Sequence, residues 1–194
     1  MKSTQIKSEI ILASKSKVRK EILEKNNINC RVISSNVDED PIKQSLIKEG
    51  ATPELISKNL AEIKATKVSS LNNDFLVLGA DSVIDLENNI ISKPENRIEA
   101  LEILKKLNGK EHYLISSVTI AKNGAMIWNY TDKAKLKMKH FNLDELKKYL
   151  SKISDHDLFS YNVYQIEGEG KNLFESIIGD EDTIMGLPIK KIKE

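Results

Sequence analysis

The strongest constraint on the fold is an alternation that runs the length of the chain. Short apolar runs, too brief to be helices, take turns with longer amphipathic segments. "EIILA" (residues 9–13) and "DFLVLGAD" (74–81) read as buried strands, and "INCRVI" (28–33) and "HYLISSVTIAK" (112–122) as strands. Between them lie helix-like stretches. Ser14 or Ser16 caps one that reaches about residue 26. Thr52 and Pro53 open a second that runs towards Val68, with proline at the first helical position. A third carries Ile98, Leu101, Ile103, Leu104 and Leu107 on one side and stops at Asn108-Gly109. Asn142 or Asp144 starts a fourth over residues 143–150. Interleaved strands and helices predict an α/β fold, read as one domain over residues 1–194.

Other segments are read with less periodic support. "SSNVDEDPIKQS" (34–45) reads as a polar loop interrupted by Pro41. "VIDLENNIIS" (83–92) reads as a hairpin turning at Asn88-Asn89, and residues 125–141 hold one or two strands after a turn at Asn123-Gly124.

Charge sets a limit on function. Thirty basic residues against 29 acidic ones leave a net charge of +1, so the whole-chain charge gives no argument for a nucleic-acid partner. An anion site must come from a local cluster. The single cysteine, Cys30, cannot form an internal disulfide; it fits a reducing, cytoplasmic setting and reads as a small buried side chain. Neither an apolar signal segment nor a membrane-length apolar run is seen.

Three groups of polar residues carry candidate chemistry. Ser14, Ser16, Lys17 and Arg19 follow the first strand, where free helix N–H groups attract anions and Arg19 can add a bidentate grip on phosphate. Asp38, Glu39 and Asp40 follow the second strand, and Asp81 and Ser82 follow "FLVLGA"; two carboxylates from separate loops can hold a hard cation against a polyphosphate. Lys64 sits on the second helix, and Lys93 is held extended by Pro94. The glycines of a Walker A loop and of a dinucleotide fingerprint are lacking, and His112, His140 and His156 have no metal-ligand spacing.

Taken in order, these segments resemble the Maf family of nucleoside triphosphate pyrophosphatases. "LASKSKVRKEIL" is similar to the family's opening L-A-S-x-S-x-x-R-x-x-x-L. "VDE" (37–39) is similar to its acidic loop, and "LAEIKA" with "LGADSVIDLENNIISKP" to its central block. "YQIEGEG" and "GLPI" resemble its closing pair, so the likeness spans about residues 10–189. The resemblance implies an elongated mixed β-sheet flanked by helices, with two lobes around a central cleft, as in inosine triphosphate pyrophosphatases. It implies a hydrolase acting on phosphoric anhydrides: cleavage between the α and β phosphates to a monophosphate and pyrophosphate, with Mg²⁺ or Mn²⁺. Asp81 falls at the family's proton acceptor and Glu39 at its metal-side acid, so Glu39 and Asp81 are the implied metal ligands. Ser14, Ser16, Arg19, Lys64 and Lys93 fall at phosphate positions.

Base preference stays open. The family's three specificity positions correspond to Val18, Ser82 and Glu167. The group active on dTTP and UTP carries Arg, Thr and Gln there, and the group active on 7-methyl-GTP carries Trp, Gln and Glu. Glu167 leans to the second group, Ser82 is nearer the first, and Val18 matches neither. Two alternatives stand beside the pyrophosphatase: a nucleotide phosphohydrolase releasing orthophosphate, and a nucleotide-binding regulator of cell division or septum formation. The expected partner is a nucleoside triphosphate, with neither nucleic acid nor membrane; a homodimer is left open.

Overall fold

The structure, a computed structural model, describes residues 9–194. Seven strands form one sheet: β1 (Ile10–Leu12), β2 (Cys30–Val32), β3 (Val77–Leu86), β4 (Asn89–Ile91), β5 (Glu111–Lys122), β6 (Ala125–Met138) and β7 (Phe174–Ile178). The order is β2-β1-β3-β5-β6-β7, with β4 hairpinned on β3. β1 runs parallel to β2 and β3, and the remaining pairs are antiparallel. Eight α-helices accompany them: α1 (Lys17–Lys25), α2 (Glu39–Lys48), α3 (Pro53–Ser69), α4 (Arg97–Leu107), α5 (Leu143–Ser151), α6 (Asp155–Tyr161), α7 (Glu181–Ile184) and α8 (Ile189–Ile192). This is the expected α/β architecture with a mixed sheet.

Local chemistry explains the helix starts. Ser16, not Ser14, caps α1 by accepting from the Arg19 amide. Thr52 caps α3 with Pro53 in the first turn, and Asn142 forms a reciprocal capping box with Glu145 at α5.

The structure corrects three readings of the secondary structure. The supposed loop over residues 34–45 contains the start of α2, with Glu39 as its first residue. Pro41 is harmless there, because first-turn N–H groups lack intrahelical acceptors in any case. The β3–β4 turn falls at Glu87-Asn88, both at positive φ (55° and 65°), one residue earlier than expected. Asp81 does not follow a strand but lies inside β3, paired with Ser117 of β5. The sequence reading took the acid as a strand end; Lys64, far away in sequence, neutralises it and lets the strand continue.

Apolar packing changes hands along β3. Leu78 and Ala80 join Leu12, Leu23, Val118 and Leu187 in one cluster. Ile84 and Leu86 join Leu104, Leu107, Leu136 and Leu146 in a larger one. Asp81 and Ser82 fall at the seam. Pairing of β3 with β1 ends at Leu78, so β3 leaves its parallel neighbour just before these two residues. Cys30 proves half-buried against the smaller cluster, not fully buried as expected.

Gly79 sets how closely α3 crosses β3. A Cβ there would lie 2.7 Å from the Ala65 backbone nitrogen and 2.9 Å from the Ala65 Cβ. Side chains at 79 and 81 share a face of the strand, so the same close approach puts Lys64 of α3 beside Asp81. Gly79→Ala must push α3 away. It is expected to destabilise the protein by about 1–3 kcal/mol in urea unfolding; an unchanged midpoint would show that the contact is not tight.

Candidate active site

Lys64 is the centre of the site. Its Nζ lies 2.8 Å from Asp81 Oδ1 and 2.8 Å from Glu39 Oε1. Lys64 is 7% exposed and Asp81 4%, so charges that water would otherwise screen face each other directly. Ser57 of α3 also donates to the Asp81 carbonyl, fixing the strand to the helix at the same point. Asp81 Oδ2 is buried and, among the described residues, has no hydrogen-bond partner.

Glu39 comes from a separate element, as the first residue of α2. Burial would raise its pKa; attraction and hydrogen bonding from Lys64, and then Lys43, outweigh this and leave it below the ordinary carboxylate range. Lys43 lies 3.5 Å from Glu39 Oε2, one turn along the same helix. It lines the cleft and was missed in the sequence, because a loop reading gives residues four apart no common face.

Arg19 is half-buried and mostly spent within the protein. Nε donates to the Gly186 carbonyl at 2.9 Å, Nη1 to Ser14 Oγ and the Ala80 carbonyl at 3.1 Å each, and Nη2 to Ser82 Oγ at 3.1 Å. Among the described residues, only one Nη2 hydrogen is left without an acceptor. The expected bidentate grip on phosphate is therefore reduced to a single N–H plus the charge. Burial lowers the Arg19 pKa, while Asp81 and Glu39 pull it back up.

The serines keep their hydrogens free. Ser14 Oγ accepts from Arg19 and from the Ser16 amide, and Ser16 Oγ accepts from the Arg19 amide, so each hydroxyl can still donate. The first turn of α1 adds the Lys17 and Val18 amides, which have no intrahelical acceptor.

Lys93 reaches across to α6, donating to the Ser160 carbonyl at 2.6 Å. Desolvation of its ammonium, then the charge of Arg19, lowers its pKa.

These parts share one cleft of about 650 Å³. Ser14, Ser16, Arg19, Glu39, Lys64, Asp81 and Lys93 all line it, as do Val18, Ser82 and Glu167. These residues come to one place from six stretches of chain, whereas Asp38 and Asp40 do not line the cleft. Glu167 is exposed and Val18 half-buried. Ser82 is committed to Arg19 and Ser116. Among the described residues, no group of three or more His, Cys, Asp or Glu side chains converges as a ready-made metal cage. Nor is any described helix long and apolar enough to cross a membrane.

The family model described as Maf-like protein matches residues 9–194. The chain belongs to the Maf family. It is 69% identical over 186 residues to a nucleoside triphosphate pyrophosphatase of Pelagibacter ubique (strain HTCC1062), covering 96% of this chain and 95% of that protein. It is 37% identical over 180 residues to a 7-methyl-GTP pyrophosphatase of Brucella abortus biovar 1 (strain 9-941), covering 93% and 90%. A nucleoside triphosphate pyrophosphatase of Caulobacter vibrioides (strain ATCC 19089 / CIP 103742 / CB 15) is 39% identical over 180 residues, with the same coverage of 93% and 90%. Maf relatives with both kinds of name therefore align along nearly the whole chain.

The shared ammonium makes a direct prediction. Lys64→Met removes the main cation that holds the Glu39 carboxyl low, so the Glu39 pKa should rise in a ¹³C carboxyl NMR titration. An unchanged Glu39 titration would mean that the Lys64 contact does not form in solution.

Proposed function

We propose that this Maf-family protein is an enzyme that hydrolyses a nucleoside triphosphate between the α and β phosphates, releasing the monophosphate and pyrophosphate. One observation carries the reading. Two carboxylates from different elements, Glu39 and Asp81, meet at Lys64 in a cleft that Arg19, Lys93 and the first turn of α1 also line.

The charges divide the work. A triphosphate brings several negative oxygens that must be neutralised before water can approach phosphorus. Ser14 and Ser16 each offer an O–H, α1 offers backbone N–H groups, and Arg19 and Lys93 offer charge. Together these hold the phosphate tail. Asp81 orients the attacking water and takes its proton. Lys64 keeps Asp81 and Glu39 converged.

A divalent cation fits this donor set. Mg²⁺ and Mn²⁺ prefer hard oxygen ligands and are commonly held by one or two carboxylates together with substrate phosphates, so three or more protein ligands are not needed. The unpartnered Asp81 Oδ2 and the accessible carboxylate of Glu39 are the groups that would hold it. When bound, the cation supplies positive charge against the phosphate oxygens.

For the base, Glu167 is the exposed polar group at the rim, while the Ser82 hydroxyl is already engaged. A carboxylate there accepts N–H donors of guanine and disfavours the carbonyl edges of uracil and thymine.

The test is a nucleotide panel with Mg²⁺ or Mn²⁺, scoring pyrophosphate against orthophosphate. The expected product is pyrophosphate. Asp81→Asn should stay folded and lose activity by about 10²–10⁴-fold. Orthophosphate as the product, or near-normal turnover by Asp81→Asn, would overturn the reading.

A further inference from the structure

A chain of hydroxyls runs from the cleft, at half-buried Ser82, into the sheet, at buried Ser116. Arg19 Nη2 donates to Ser82 Oγ at 3.1 Å, Ser82 Oγ lies 2.7 Å from Ser116 Oγ, and Ser116 Oγ donates to the Thr183 carbonyl at 2.7 Å. Its direction is forced. A carbonyl only accepts, so the one hydroxyl hydrogen of Ser116 goes to Thr183. Ser116 must then accept from Ser82, and Ser82, its own hydrogen spent, must accept from Arg19.

The far end is anchored. Thr183 Oγ1 donates to Asp132 Oδ2 of β6 at 2.7 Å, and both Ser116 and Thr183 are fully buried. Arg19 Nε closes a second link to the same segment at the Gly186 carbonyl. Gly186 has φ +99°, and a Cβ there would lie 3.1 Å from Ser82 Oγ and 3.3 Å from Arg19 Nε, so the segment packs directly on the guanidinium. Ser117, next along β5, makes a different contact: its hydroxyl meets Thr131 at 2.9 Å and has no link to Arg19.

We infer that Ser116 is a positioning residue that acts through Ser82 to hold the plane of the Arg19 guanidinium, directing its remaining Nη2 hydrogen to the bound phosphates. In this chain Ser82 serves the same relay instead of reading the base. The kinetic consequence rests on the pyrophosphatase reading; the geometric one does not.

The experiment therefore has two arms, run on Ser116→Ala and on Ser117→Ala as the control for loss of a buried hydroxyl. Arg19, Arg31 and Arg97 are the arginines of the chain, so guanidinium ¹⁵N–¹H NMR signals can be assigned by substitution. The relay predicts slowly exchanging Arg19 Nη2 signals in the wild type and in Ser117→Ala, and loss of these Nη2 signals in Ser116→Ala, while the Nη1 signals, held by Ser14 and the Ala80 carbonyl, persist. In the kinetic arm, Ser116→Ala should lower kcat/KM for a nucleoside triphosphate about tenfold, and should have little further effect in an Arg19→Met background, because the two act as one unit. Ser116→Cys, nearly isosteric but a weak donor, replaces Ser116→Ala in both arms if the alanine variant does not fold. Unaltered Arg19 signals in the Ser116 variant, or a full Ser116 effect without Arg19, would overturn the proposal. If the wild type released no pyrophosphate from any nucleotide, the activity reading would fail while the NMR arm would still decide the relay.

Discussion

One ammonium shared by two carboxylates is the constraint on which the site depends. Lys64 Nζ sits at 2.8 Å from both Glu39 and Asp81. Without that cation, an acid inside β3 would be a buried, uncompensated charge, and strands do not run through such positions without large cost. With it, β3 passes through Asp81 unbroken and α2 is drawn towards the sheet. The bridge is possible because Gly79 allows α3 to lie close to β3, so a backbone feature without a side chain sets the geometry of two side chains that carry charge.

The same strand also separates two apolar clusters, and the cleft opens at their seam. This arrangement puts the acids and cations between the two clusters and in neither of them. The convergent carboxylates, the first turn of α1 and the cations Arg19 and Lys93 all line the cleft. Arg19 has a different task from that expected of a free arginine. Most of its donors stitch α1 to β3 and to the segment after α7, so it supplies charge and a single N–H from a rigid mount.

Much of this was legible because it is local. The caps at Ser16, Thr52 and Asn142, the turn at Asn123-Gly124 and the apolar side of α4 at Ile103, Leu104 and Leu107 depend on residues a few positions apart, although Ile98, counted on that side, is exposed. What was not legible depends on distant partners or on competing signals. Pro41 and a run of acids imitate a loop, although a first helical turn tolerates both. Asp81 looked like a strand end because its compensating charge lies on another element. The partners of Arg19 include the carbonyls of Ala80 and Gly186, and no sequence pattern marks a carbonyl as an acceptor. Ser116 carried no signal at all: a serine in a strand becomes informative only when Ser82 and Thr183 stand beside it.

The central claim is that Glu39 and Asp81 face one cation position beside a phosphate tail held by α1. The most direct measurement is anomalous diffraction from crystals grown with Mn²⁺ and a nucleoside triphosphate analogue whose α,β bridge cannot be hydrolysed. The account predicts a manganese peak in contact with both carboxylates and phosphate oxygens beside Ser14, Ser16 and Arg19. A manganese peak elsewhere, or phosphates bound away from the α1 N-terminus, would contradict it.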